Sequence, residues 1–200
     1  GTAMEETRRT ITHYERELQE IKQNLLYLGA LTEKAIENVT ASLLERKSDV
    51  ARQVIEGDAE IDRLDTDIEE QCIRLLALRQ PIARDLRFIT TAIKINGHLE
   101  RIGDMAVNIA EKVLLLNEVP QLKPYIDLPR MAVIAREMIR GSLDAFVRED
   151  CELANRIRRM DAEIDTLNEQ IFRELLTFML EDARTIHRAL LIMQVSKNME

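Results

Sequence analysis

The pentapeptide Asp58-Ala59-Glu60-Ile61-Asp62 recurs as Asp161-Ala162-Glu163-Ile164-Asp165, 103 residues further along the chain. An internal duplication constrains the fold more than any other feature, because the same unit must be able to form twice. The flanks agree with it. Leu43-Leu44 before the first copy answers to Phe146-Val147, and Arg74-Leu75-Leu76 after it lies near Arg173-Glu174-Leu175-Leu176. Across the next turn the offset becomes 100, so that Arg84 matches Arg184, Leu86 matches Ile186 and Glu100 matches Glu200.

Hydrophobic periodicity sets the shape of each unit. Leu18, Ile21, Leu25, Leu28, Ala35, Val39 and Leu43 recur at alternating spacings of three and four, with Thr32 standing in one slot. This is the stripe of one long amphipathic helix. The pattern restarts after Lys47, where Ser48 or Asp49 can cap. It then runs through Val50, Val54, Ile61, Leu64, Ile68 and Leu75 to a stop at Gln80-Pro81. A third stretch, from Phe88 through Leu99 and Ala106 to Leu116, predicts a helix about 45 Å long at about 1.5 Å per residue. Short connections at 47–50, 79–82, 148–151 and 180–183 make neighbouring helices antiparallel.

Pro120, Pro124 and Pro129 fall within ten residues, where a helix interior would not tolerate them. The expected organisation is therefore a tag remnant and N-terminal tail over 1–10 and a first three-helix bundle over 11–118. A Pro-containing linker over 119–128 follows, then a second three-helix bundle over 129–200 whose last helix reads as truncated. Gly1-Thr2-Ala3 before Met4 reads as a cloning remnant. The fold class is all-α, two tandem, sequence-related bundles, because one unit's amphipathic helices cannot bury their stripes alone.

Composition supports this. Hydrophobic residues make up 46% and charged residues 32% of the chain, enough for a core and too apolar for disorder. Aromatic content of 4%, no Trp, and only 6 Gly and 4 Pro argue against an all-β fold. A formal charge of −8 and a pI near 5.1 repel phosphate backbones and anionic lipid, which disfavours nucleic acid as a partner. Cys72 and Cys151 have no CxxC spacing and read as reduced, buried thiols of a cytoplasmic protein. No stretch approaches the roughly 20 apolar residues needed to span a bilayer, so membrane association is expected only through partners.

Carboxylates in i, i+4 pairs are the main chemical feature. Glu100 and Asp104 lie on one face of the third helix, about 40° apart round the axis and nearly opposite the seam of Leu99, Ile102 and Ala106. They are expected to point outward, with Asn108 and Glu111 extending the stripe. Asp58 and Asp62 form a pair on the second helix, Asp161 and Asp165 repeat it, and Glu200 begins a fourth. One such pair would be ordinary surface decoration. Repeated pairs oppose the helix by about 0.2–0.5 kcal/mol each unless a cation offsets them. Their recurrence at matching places in two diverged halves favours a binding role. Gly103, in mid-helix at a cost of roughly 1 kcal/mol relative to Ala, indicates that something approaches the backbone closely. Oxygen-only donors suit Fe, Mn or Mg better than Zn.

Other chemistries find little support. His13, His98 and His187 do not cluster and receive no metal role. No GxSxG, P-loop, HExxH or dinucleotide fingerprint is present. Arg79, Arg84 and Arg87, with Arg184 and Arg188 at the matching turn, could meet phosphate but more simply pair with Asp85, Glu181, Asp182 or neighbouring helices. Met131, Met138 and Met160 read as core filler.

The run Leu99-Glu100-Arg101-Ile102-Gly103-Asp104-Met105-Ala106-Val107-Asn108-Ile109-Ala110-Glu111 resembles the signature of the PhoU family of bacterial phosphate-uptake regulators. Gln80-Pro81-Ile82-Ala83-Arg84-Asp85-Leu86-Arg87 resembles the family's preceding turn, and Asp182-Ala183-Arg184-Thr185-Ile186 its second-repeat counterpart. The likeness runs from Thr12 to Glu200. It implies two tandem three-helix bundles whose ExxxD or DxxxD motifs hold divalent or multinuclear metal. The implied ligands are Asp58, Asp62, Glu100, Asp104, Asp161, Asp165 and Glu200. The family's second signature continues beyond Glu200 as Arg, Ile, Gly and Asp, where this sequence stops.

The function implied is negative regulation of phosphate uptake and of phosphate-responsive two-component signalling. A non-enzymatic adaptor would join the ATPase subunit of the phosphate ABC transporter to a sensor histidine kinase, and a homodimer is compatible with it. Two other classes compete: a carboxylate-ligated metal enzyme, for which the Glu-x-x-His elements of di-iron bundles are lacking, and a metal-buffering helical protein.

Overall fold

The computed structural model describes residues 1–200 and contains helices joined by short turns, with no strand. The helices are α1 Thr2–Leu44, α2 Ser48–Arg79, α3 Ala83–Leu116, α4 Asp127–Arg148, α5 Cys151–Glu181 and α6 Ile186–Met199, with a 3-10 turn at Ala183–Thr185 before α6. Within each set of three, every helix touches the other two. The sets join through α1 against α4 and α3 against α6.

Several boundaries differ from expectation. Helix α1 begins at Thr2 rather than near residue 11, and residues 2–13 are exposed. This stretch contains no Gly or Pro and extends a helix already nucleated by packing from Ile21 onward, so each added residue escapes the nucleation cost. The connection between the sets is 117–126 rather than 119–128, and α4 starts at Asp127. Pro129 lies in the first turn of α4, where a missing donor leaves no bond unmade. Neither Ser48 nor Asp49 caps α2. Lys47 holds the N-cap position without a side-chain bond, and the Ser48 hydroxyl instead accepts from Asn117 Nδ2 at 3.1 Å.

Thr32, the polar residue in the α1 stripe, is fully buried and donates its hydroxyl to the Gly29 carbonyl at 2.9 Å, which satisfies it inside the core. At the junction, a Cβ on Gly29 would stand only 2.1 Å from Leu143 Cδ1, so glycine there lets α1 and α4 approach. The register is antiparallel, with Glu33 bonded to Arg140 at 3.0 Å and Glu37 to Arg136 at 3.4 Å. Buried apolar residues of all six helices form one continuous cluster. Cys72 lies within it, whereas Cys151 is exposed at the start of α5. The expectation of two buried thiols therefore fails for Cys151, because the first turn of a surface helix has nothing packed over it.

Candidate metal centre

Helices α2 and α3 lie side by side, and Gly103 is where they come closest. A Cβ at this position would stand 3.1 Å from Ile61 Cγ2 and 3.2 Å from Asp58 Oδ1. The approach expected from a mid-helix glycine is thus made by α2 itself. It brings the acids of the two helices together, and ligand oxygens of Asp58, Asp62 and Asp104 lie within 4.8 Å of one another. Glu100 joins them through a hydrogen bond with Asp104. The pairs do not stand on separate free helix faces, as their position opposite the apolar seam suggested. They meet in the α2–α3 groove, with Asp62 and Asp104 exposed and Asp58 and Glu100 half-buried.

The electrostatics of the groove are unbalanced. The hydrogen bond with Asp104 pushes the Glu100 carboxyl up to about 7, helped by burial and by the charges of Asp104, Asp65 and Asp62. Burial pushes Asp58 up to about 6, with Asp62 and Asp104 adding to it. Asp65 is raised by burial and by Glu69, Asp62 and Asp104. Every one of these causes disfavours the ionised form, and no basic side chain offsets them. Asp58 Oδ1 is buried and has no hydrogen-bond partner. Left so, it would cost free energy. A hard cation taking oxygen ligands fits this donor set, and thiol or imidazole ligands are absent from it.

Asp65 escaped the sequence reading. It stands seven residues after Asp58, on the same face of α2, so extending the i, i+4 pair to i+7 would have found it. Asn96, almost fully buried, braces this turn by donating from Nδ2 to the Asp65 carbonyl at 2.9 Å.

The second unit assembles its acids differently. Glu200 hydrogen-bonds Asp165, whose carboxyl is raised by slight desolvation, by Asp161 and by that contact. Glu200 also accepts from Asn168 Nδ2 at 2.6 Å and pairs with Lys197 at 3.1 Å. Lys197 stands where Gly97 stands in the first unit, so a cation is built into the second cluster. Asp161 and Glu200 are exposed and Asp165 half-buried. The three do not close into a group as Asp58, Asp62 and Asp104 do.

Four of the five arginines near the turns are occupied. Arg84 bonds Glu149, Arg184 bonds Asp182 at 3.0 Å, Arg79 pairs with Glu17 at 3.6 Å and Arg188 donates to the Pro120 carbonyl at 3.0 Å. His13 faces Glu17 at 2.8 Å.

The PhoU domain model matches residues 25–113 and 128–200. The phosphate-specific transport system accessory protein PhoU homolog of Aquifex aeolicus is 42% identical over 185 residues, covering 92% of this chain and 84% of that protein. The Pseudomonas putida homolog of the same name is 38% identical over 185 residues, covering 92% and 72%. The crystal structure of PhoU from Pseudomonas aeruginosa superimposes with a TM-score of 0.89 at 35% identity, covering 93% of this chain and 90% of the other. The phosphate transport system regulatory protein PhoU from Streptococcus pneumoniae superimposes with a TM-score of 0.84 at 26% identity, covering 94% and 88%. With a family match across both three-helix sets and relatives up to 42% identical over 92% of this chain, the chain belongs to the PhoU family.

Proposed function

We propose that this chain is a cytoplasmic, non-enzymatic regulator of phosphate-specific transport. In this reading it acts as an adaptor between the transporter's ATPase subunit and a sensor histidine kinase, restrains phosphate uptake and phosphate-responsive signalling, and self-associates as a homodimer. The observation that carries the reading is that likeness to accessory proteins of the phosphate-specific transport system extends over 92% of the chain, both units included. Long exposed helix faces suit docking to partner proteins. No helix is long and apolar enough to cross a membrane, so a membrane complex would be reached through partners.

The α2–α3 groove belongs to the same proposal as a site for divalent or multinuclear metal, with Fe, Mn or Mg favoured over Zn. Asp58, Asp62, Glu100 and Asp104 would hold it, with Asp161, Asp165 and Glu200 as a weaker set in the second unit. A cation there would neutralise carboxylates that otherwise repel one another and would give the orphaned Asp58 oxygen a partner.

Two measurements test the proposal. Elemental analysis of the chain purified without chelator should find bound metal that falls at least severalfold in Glu100→Ala/Asp104→Ala. Unchanged content would reject the groove. Affinity capture should retain the transporter ATPase or the kinase, and deletion should derepress phosphate-responsive transcription. Failure of both would reject the regulatory role.

A further inference from the structure

A cleft of about 740 Å³ opens between the first half of α3 and the α4–α5 hairpin. The backbone of α3 stays apart from those of α4 and α5, so the two three-helix sets face each other across the gap and only side chains bridge it. Its volume lies within the roughly 300–1,000 Å³ of small-molecule sites. The floor is apolar and half-buried. Phe88 of α3 stacks on Phe146 of α4 with ring centroids 4.8 Å apart, and Ile95, Met138 and Ile157 continue the surface.

Around this floor stand polar groups that bind nothing in the protein. Arg87 of α3 and Arg158 of α5 both line the cleft, both are exposed, and neither is paired with a carboxylate. The two carboxylates of the lining are already engaged: Glu149 accepts from Arg84, and Asp150 caps α5 by accepting from the Leu153 amide at 2.9 Å. Lys22 adds a further positive charge, its Nζ 5.2 Å from the centre of the Phe88 ring. The cleft is thus locally cationic in a chain of net charge −8. Thr91 and Ser142 also line it, and their hydroxyls make no hydrogen bond, whereas the adjacent Thr90 donates to the Leu86 carbonyl at 2.9 Å. The duplicated fold does not require the arginine pair. At the offsets of 100 and 103, Arg87 answers to His187 and Arg158 to Ile55.

We propose that this cleft binds a nucleoside phosphate, with its phosphate groups held by Arg87 and Arg158 and its base lying on the apolar floor. Guanidinium forks match phosphate oxygens in both charge and geometry. The unpaired hydroxyls of Thr91 and Ser142 are free to bond sugar or phosphate oxygens. A bare phosphate ion would satisfy the arginines but leave the floor uncovered, whereas a flat base removes that apolar surface from water. A ligand held in this way ties α3 of the first set to α5 of the second, whose backbones have no contact of their own. Binding to the folded chain alone stabilises it, so occupancy should stiffen the junction between the sets. The proposal rests neither on the transport-regulatory reading nor on the α2–α3 groove.

Isothermal titration calorimetry of the full chain, in buffer without added divalent cation, tests it with ADP, GDP and UDP in turn. At least one should bind, and more tightly by at least about tenfold than inorganic phosphate or the matching nucleoside. Arg87→Ala and Arg158→Ala should each weaken that binding by at least about tenfold. Arg52→Ala, which removes the same charge from the surface of α2, should leave it unchanged. Ala154→Phe, which fills the cleft from α5 and keeps every charge, should weaken it as well. Both arginines are exposed and unpaired, so the variants should melt like the wild type in differential scanning fluorimetry without nucleotide. With nucleotide, only the wild type should gain a clear rise in melting temperature. Failure of all three nucleotides to bind would overturn the proposal. Equal affinity for inorganic phosphate would overturn it in favour of a bare anion site, and an equal loss in Arg52→Ala in favour of diffuse charge attraction. None of these results moves the metal content of the α2–α3 groove or the response of transcription to deletion, which test the other readings.

Discussion

At the scale of single residues, the free energy of the α2–α3 groove depends on protons as well as on any cation. Glu100 and Asp58 have folded values pushed up to about 7 and about 6, above those of an unfolded chain. The folded state therefore holds protons more tightly than the unfolded state over this range. Stability from these groups is lost as pH rises through the folded values and regained as it falls toward the unfolded ones. Metal-free chain should accordingly melt higher near pH 5.5 than near pH 7.5. Glu100→Gln should shrink that difference, as differential scanning fluorimetry in chelator can check. A larger difference in Glu100→Gln would contradict the assignment. Glu100 and Asp104 were legible from their spacing, because i, i+4 neighbours share a face whatever the fold. Their meeting with Asp58 and Asp62 was not, since it depends on which face of α2 lies against Gly103.

At the scale of elements, helix ends decide how the turns hold. Carbonyls at the end of α3 and just past it have no intrahelical donors, and Arg46 caps three of them. Its guanidinium donates to the carbonyls of Leu116 at 3.4 Å, Asn117 at 3.1 Å and Val119. Arg46 does this from the turn between α1 and α2, where its own φ is 55°, a left-handed conformation that disfavours residues with a Cβ. Arg46→Ala should therefore lose about 1–3 kcal/mol through the unmet carbonyls. Arg46→Gly, which relieves the backbone, should lose roughly 1 kcal/mol less. Urea denaturation should rank wild type above Arg46→Gly and Arg46→Ala last, and the reverse order of the two variants would refute this account. The periodicity of α1 to α3 announced their existence and direction. It could not announce the Arg46 clamp, because the partners stand 70 or more residues away in sequence.

At the scale of the molecule, the two three-helix sets share one core rather than standing as beads on a string. Leu143, 4% exposed, packs from α4 toward Gly29 of α1, and Phe88 of α3 stacks on Phe146 of α4 with centroids 4.8 Å apart. Continuity of this kind couples the sets. Hydrogen exchange in α2 and in α5, neither of which carries the junction, should report one common global opening rather than two. Leu143→Ala should lower both together by about 2–5 kcal/mol. Independent loss of α5 protection alone would show instead that the sets unfold separately.

The amino-acid sequence by itself determined that this chain is helical, that it is built twice from the same plan, and which carboxylates share a helix face. Those properties follow from local periodicity and from identity between the halves, neither of which needs a neighbour in space. Only the tertiary structure decided that acids of α2 and α3 converge at Gly103, that Lys197 gives the second cluster a built-in cation, and that Arg87 and Arg158 line one cleft. Each depends on interhelical approach and on what packs against what, quantities that side-chain volume and the fit of one helix surface against another set between residues distant in sequence.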